Sequence, residues 1–273
     1  MPGTIPAFTP LQATLWLTLC AKALDNRLSD PILGDATADK IVWSTGYAYR
    51  RLHLTPSTVV TIAHRAKKLD EVVQRFMTRH PDAVGLDLGA GLDSRVLRVA
   101  PPSGADWYDI DFPEVITARR LLLPEHATPN GIGADLDATD WLDALPRDRP
   151  AVIVADGLLA FRSARETVSL MRRLVDHFPS GEIAFNGYSR FAMWVLRHAR
   201  IADALRDVTR FPGLDDPGIV ERWHPRLRLD REILCGREPE VARFPPGPRL
   251  MTRLTAPSAT LSRMISTVYV YRF

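Results

Sequence analysis

The 273-residue chain is poor in cysteine, with only Cys20 and Cys235, far apart in sequence. That excludes a disulfide framework. It also excludes a zinc site, which needs Cys or His pairs at short spacing. The two read as buried thiols in a reducing compartment. The seven histidines are scattered, with no HxxxH or HExxH spacing. Long apolar runs are missing as well. The most apolar early stretch, "LWLTLCAKAL", is too short to span a bilayer and is interrupted by Lys22. The opening "MPGTIPAFTP" lacks the basic-then-apolar order of a signal peptide. There is no internal repeat, low-complexity tract or basic tail. The net charge of +3 comes from scattered arginines, so neither nucleic acid nor membrane is expected as a partner. A soluble cytoplasmic protein is expected, monomeric or homodimeric.

What is present is a hydrophobic content of 46%, enough to build one large α/β domain or two small ones. The first third reads as helical. Leu15, Leu19, Ala23 and Leu24 recur at helical spacing over 11–28, and Ile62, Ala66, Leu69, Val73 and Phe76 over 57–79. Ser57 can cap the second helix and Pro81 marks its end. The texture then changes. "AVGLDL" (83–88), "DWYDID" (106–111), "GIGAD" (131–135), "AVIVAD" (151–156) and "GEIAFN" (181–186) read as short strands. Helical patterns lie between them, most clearly over 164–177. This alternation predicts a parallel sheet covered on both faces. "RLRLDREIL" (226–234) and "ISTVYVYRF" (265–273), separated by a Pro-rich loop at 245–248, suit an antiparallel pair on the sheet edge. The expected fold is α/β and Rossmann-like, with about seven strands. Residues 1–80 should form a helical cap over the strand ends, within the same domain. Residues 81–273 should form the core, with an acceptor-pocket insertion around 187–225.

"VGLDLGAGLDSR" (84–95) puts Gly89 and Gly91 directly after the first strand. In a doubly wound sheet, ligands sit beyond the carboxyl ends of the strands. A two-glycine turn allows close backbone approach there, with the amides of Leu92 to Ser94 facing the ligand. It also suits a purely structural turn. A dinucleotide needs a third glycine, as in GxGxxG, and that position is Ser94. S-adenosylmethionine (SAM) carries no phosphate and does not need it. Acids follow four successive strands. Asp109 and Asp111 lie roughly twenty residues past the turn, where a carboxylate can accept from ribose hydroxyls. Asp135 can accept from an adenine amino group, and Asp156 lies toward the methionine end. Asp87, inside the first strand, can partner a backbone amide or a ligand ammonium.

"GLDLGAGLDSR", "WYDIDFPEVITARR", "ADLDATDW" and "ADGLLAF", in that order, resemble the leucine carboxyl methyltransferase family, and most nearly its bacterial polyketide-synthesis O-methyltransferases. The similarity runs from about residue 11 to the terminal "YVYRF". It implies a class I methyltransferase fold with SAM as methyl donor. It implies cofactor contacts at Gly89, at Asp111 on the ribose, and at Asp135 and Leu136 beside the adenine. Ala90, Gly91, Phe112 and Gly157 fall in the same motifs. Asp156 matches a position that is usually glutamate, and Arg65 an arginine that can hold the cofactor carboxylate. Lys22 lies where relatives carry basic residues, on a loose alignment. Departures are Ala90 for a frequent cysteine, the shorter Asp156, and Asn186 for a frequent aspartate.

Methyl transfer asks mainly for alignment and exclusion of water. A carboxylate acceptor is already ionised at neutral pH, whereas a phenol profits from a general base. With no Cys–His or Ser–His constellation, a small acidic acceptor is favoured. "NGYSRFAMWVLRH" (186–198) mixes aromatics with arginines and suits a flat acid, with Tyr188, Arg190 and Trp194 as candidate contacts. Tyr47 and Tyr49 are further candidates. The rival readings are a protein C-terminal carboxyl methyltransferase, a catalytically silent binder of SAM or its demethylated product, and an NAD oxidoreductase.

Overall fold

Among the described residues, seven strands form one sheet: β1 (Val84–Leu88), β2 (Asp106–Asp111), β3 (Asn130–Gly133), β4 (Ala151–Ala155), β5 (Gly181–Gly187), β6 (Arg228–Leu234) and β7 (Thr267–Arg272). The structure is a computed structural model that describes residues 5–198 and 207–273. Residues 199–206, within the expected acceptor-pocket insertion, lie outside the described residues. The strand order is β3-β2-β1-β4-β5-β7-β6. The first five strands pair in parallel, and β7 runs antiparallel to both β5 and β6. The expected mostly parallel sheet with an antiparallel edge is therefore present.

The helices are α1 (Leu15–Asn26), α2 (Ala36–Thr45), α3 (Pro56–Arg79), α4 (Arg95–Val99), α5 (Pro113–Leu122), α6 (Ala164–His177), α7 (Arg190–His198), α8 (Gly218–Glu221), α9 (Pro246–Thr255) and α10 (Ala259–Ile265). None is long and apolar enough to cross a membrane. Every residue of β1 and β4 is buried, as near-continuous apolar strands demand when both sheet faces are covered. Side chains alternate between the faces. Val152 and Val154 join Leu69, Val72, Val73 and Phe76 of α3 in one core layer. Ile153 and Ala155 join Leu170, Met171, Leu174 and Val175 of α6 in the other. A complete capping box at Ser163 and Glu166 starts α6 where the sequence predicted.

Three expectations need correction. The N-cap of α3 is Thr55, not Ser57, because Pro56 takes the first helical position, where its missing N–H costs nothing. The Pro-rich stretch at 245–248 is not a loop. Pro246 opens α9, by the same rule. The N-terminal helices do more than cap strand ends, since α3 lies along one sheet face as a full core layer while α1 packs on it and reaches the glycine turn.

Leu174→Ala should test the α6 layer. Leu174 is fully buried, so the substitution should lower unfolding stability by about 2–5 kcal/mol in urea denaturation.

Candidate active site

Strand order reverses between β1 and β4, so the loops after them open a crevice. Gly89 and Gly91 sit in it with φ of 65° and 51°, and Gly157, after β4, with φ of 82°. These are left-handed conformations that side-chain-bearing residues resist. A Cβ on Gly89 would lie 3.0 Å from Leu158 Cδ1, and one on Gly157 3.2 Å from Arg65 Nη2. The bare backbone is what keeps the crevice open.

The glycine turn is held from behind. Arg119 of α5, with no solvent exposure, donates to the carbonyls of Ala90 (3.3 Å), Gly91 (3.0 Å) and Asp93 (2.8 Å). Asp109 balances its charge at 2.7 Å and also accepts from Trp107 Nε1 at 3.0 Å. Asp109 is thus a buried structural carboxylate. Asp111, two residues on, borders the cavity and accepts from the amides of Gly91 (2.8 Å) and Phe112 (2.7 Å). Of the two acids that could reach a ribose, only Asp111 is available.

Beside the turn lies a cluster of buried charges. Arg95, fully buried, meets Asp87 (2.9 Å), Asp93 (3.2 Å), Asp156 (3.4 Å) and Asp70. Arg98 meets Asp35 (2.6 Å), Asp70 (2.7 Å) and Asp93 (2.7 Å), and Ser94 donates to Asp35. Lys22 reaches in from α1 to Asp93 (2.5 Å) and Asp156 (3.7 Å), and Arg65 from α3 to Asp156 (2.8 Å). Burial opposes ionisation at Asp93. Arg98, Lys22 and Arg95 outweigh it and hold the carboxyl well below its ordinary range. Burial likewise opposes ionisation at Asp156, where Arg65, Lys22 and Arg95 prevail.

The crevice widens into a cavity of about 1080 Å³. Arg65, Asp87, Gly89, Ala90, Gly91, Asp111, Phe112, Asp135, Leu136, Asp156 and Gly157 all border it, as does Tyr188. Tyr188 Oη accepts from Arg65 Nη1 at 3.4 Å. Asn186 accepts from the Gly157 amide at 2.7 Å, which gives that departure from the family pattern a structural role. Arg190 and Trp194 do not border the cavity. The Arg190 side chain is 79% exposed and pairs with Asp215, and Trp194 is 56% exposed and stacks on His198. The helical turn explains this. Phe191, Ala192, Val195 and Leu196 lie on the cavity side of α7, and residues 190 and 194 do not. Tyr47 and Tyr49 are also outside it, and Tyr47 stacks on Trp16 with ring centroids 4.2 Å apart. Sequence reasoning passed over Asp93, Thr18 and Leu15, which line the wall. Lys22 was the readable signal for that wall, a lone cation in an apolar helix.

The cavity has the features a SAM molecule needs. In its glycine cradle a Cβ on Gly89 or Gly157 would crowd Leu158 or Arg65. Arg65 Nε and Asp156 Oδ1, buried at the wall, touch as charges but lack any aligned hydrogen-bond partner. The parallel sheet, switch-point glycine turn and antiparallel β7 together define a class I methyltransferase. A methyltransferase-like structure from Thermobifida fusca shares the fold, with a TM-score of 0.55 at 17% identity over 92% of this chain and 93% of that one. So does a DUF574 family protein from Streptomyces avermitilis, with 0.56 at 22% over 93% and 96%.

Residues 16–175 match the profile of the leucine carboxyl methyltransferase family. The chain is 38% identical over 232 residues to the tetracenomycin polyketide synthesis O-methyltransferase TcmP of Streptomyces glaucescens, covering 84% of this chain and 85% of that one. It is 32% identical over 241 residues to the S-adenosyl-L-methionine-dependent methyltransferase dpfgK of Gibberella zeae, covering 81% and 80%. The chain belongs to the leucine carboxyl methyltransferase family and is a methyltransferase that uses SAM as its methyl donor.

Asp93 and Asp156 bind protons more weakly folded than unfolded, so their contribution is present above the unfolded carboxylate value of about 3.9 and lost as pH falls below it. Urea midpoints should therefore drop steeply below about pH 4, and a flat profile there would contradict the paired charges.

Proposed function

We propose that the protein is an O-methyltransferase that methylates a carboxyl or hydroxyl oxygen of a small, polyketide-like or aromatic acid. The carrying observation is the size and lining of the cavity. Pockets for drug-sized ligands run to about 300–1,000 Å³, and this one stands at the top of that range, at about 1080 Å³. Besides the glycine turn and the buried charges, its walls carry Ile62, Phe161, Phe191, Val195, Leu196 and Met264. Apolar walls of this kind suit a ring-bearing acceptor. The relationship to TcmP, named for polyketide synthesis, supports the same acceptor class.

Bound SAM supplies an electrophilic methyl on a sulfonium. The chain's contribution is to hold and align. The Gly89–Gly91 backbone and Asp111 are suited to the ribose, Asp135 and Leu136 to the adenine side, and Arg65, Lys22 and Asp156 to the amino-acid end. Tyr188, oriented by Arg65, can hydrogen-bond the acceptor oxygen. Alignment of this kind contributes on the order of 7–11 kcal/mol. Among the described residues the cavity wall has one histidine, His53, on its exposed rim. An acceptor that is already ionised, such as a carboxylate, therefore suits this site better than one needing a buried base.

Asp111→Ala should weaken SAM binding by about 1.5–3 kcal/mol, read by calorimetry. An unchanged affinity would remove Asp111 from the ribose role. The activity itself is tested by incubating the protein with methyl-labelled SAM and a panel of aromatic polyketide acids and phenols, followed by mass spectrometry. Label on an acceptor oxygen is the expected result. Label only on a protein C-terminus, or on none of the acceptors, would overturn the reading.

A further inference from the structure

Among the described residues, the buried charges beside the glycine turn do not balance. Four cations, Lys22, Arg65, Arg95 and Arg98, face five carboxylates, Asp35, Asp70, Asp87, Asp93 and Asp156. The neighbouring Arg119–Asp109 pair adds no net charge. The excess falls on Asp87. Asp93 meets three cations, Asp156 three and Asp70 two. Asp35 has Arg98, the Ser94 hydroxyl and the Ala38 amide. Among the described residues, Asp87 pairs with Arg95 alone, at one edge, 2.9 Å away. A buried carboxylate with so little compensation must gain either a proton or a further cation. Asp87 also borders the cavity.

SAM and its demethylated product, S-adenosylhomocysteine, share their amino-acid, ribose and adenine parts. They differ in one methyl and in the charge at sulfur. We propose that this cluster reads that charge: its uncompensated carboxylate, Asp87, favours the sulfonium cation over the neutral thioether, releasing a proton to solvent when SAM enters and taking one back when the product replaces it. The inference rests on the reading that the glycine-lined end of the cavity receives the cofactor. Only a proton moves in this step. The O–H bond of the Asp87 carboxyl breaks, its electron pair stays on oxygen, and the proton goes to buffer.

The charged groups acting on Asp87 are Arg95 and Asp93 from α4 and the turn before it, and Asp109 and Arg119 from β2 and α5. One partner further out in the same network stand Lys22 from α1, Arg65 and Asp70 from α3, and Asp156 after β4. Burial raises the Asp87 carboxyl to about 7. Arg95 opposes the rise, Asp93 and Asp109 add to it, and Arg119 opposes it again. A cation arriving in the cavity lowers that value, so SAM should bind more tightly as pH rises toward 7. The product brings the same ammonium but no sulfonium, so its trend should be weaker.

The test is calorimetry of the full chain near pH 6.5 in two buffers of different ionisation enthalpy, with each ligand in turn. At that pH the ligand α-amino group, which titrates at about 7.7–8.0, stays protonated in both. SAM binding should release up to about one proton, and its affinity should rise by up to about tenfold per pH unit below 7, while S-adenosylhomocysteine releases less and shows a shallower rise. Equal release by both ligands, or none by SAM, overturns the proposal. Failure of both to bind overturns instead the assignment of the cofactor to this end of the cavity. Asp87→Asn should abolish the release and narrow the preference between the ligands. If that variant does not fold, the wild-type calorimetry decides.

Discussion

The site depends on one guanidinium that water does not reach. Arg119 draws three carbonyls of the glycine turn toward itself, and so fixes the direction in which the turn's amides point. Asp109 neutralises it from the strand alongside, which leaves Asp111 to face the cavity. Two aspartates two residues apart on one strand thereby take opposite duties. One stabilises the protein interior, where an unpaired charge would cost several kcal/mol. The other is open to a ligand. The turn is a product of the β2–α5 unit as much as of its own glycines.

The strands were legible because each is a short apolar run ending in a turn, and β1, β2, β4 and β5 fall within a residue or two of their predicted bounds. That the residues proposed for the cofactor would share one cavity was legible for a related reason. In this topology, residues that directly follow successive strands converge on one crevice, so Gly89, Asp111, Asp135 and Asp156 share a cavity. The residues proposed for the acceptor were harder to read. On α7 a composition of aromatics and arginines does not say which third of the helix faces inward, and the lining fell to Phe191 and Val195 rather than Arg190 and Trp194. The Pro-rich stretch misled because proline ends helices and also begins them, as Pro246 does. Least legible was the charge cluster. Asp35, Asp70 and Arg98 come from three different helices or their caps, and only the packed fold brings them together.

The cavity walls combine unlike surfaces. Beside the glycine turn, buried ions are held by one another and leave little slack for rearrangement. On α7, Phe191 and Val195 line the same cavity and remain partly exposed. Arg65 and Tyr188, hydrogen-bonded to each other, lie beside the glycine that follows β4 and directly after β5.

The placement of β7 bears on the order in which the molecule can be assembled. Residues 267–272 fill the position between β5 and β6, bonded on both sides. While a growing chain still lacks them, β5 keeps an open edge of unsatisfied backbone groups, of the kind that recruits stray strands. β6 has no neighbour at all until they arrive. During synthesis the five parallel strands can close on α3 and α6 before the sheet's far side exists, so until β7 docks a nascent molecule carries an open edge along β5.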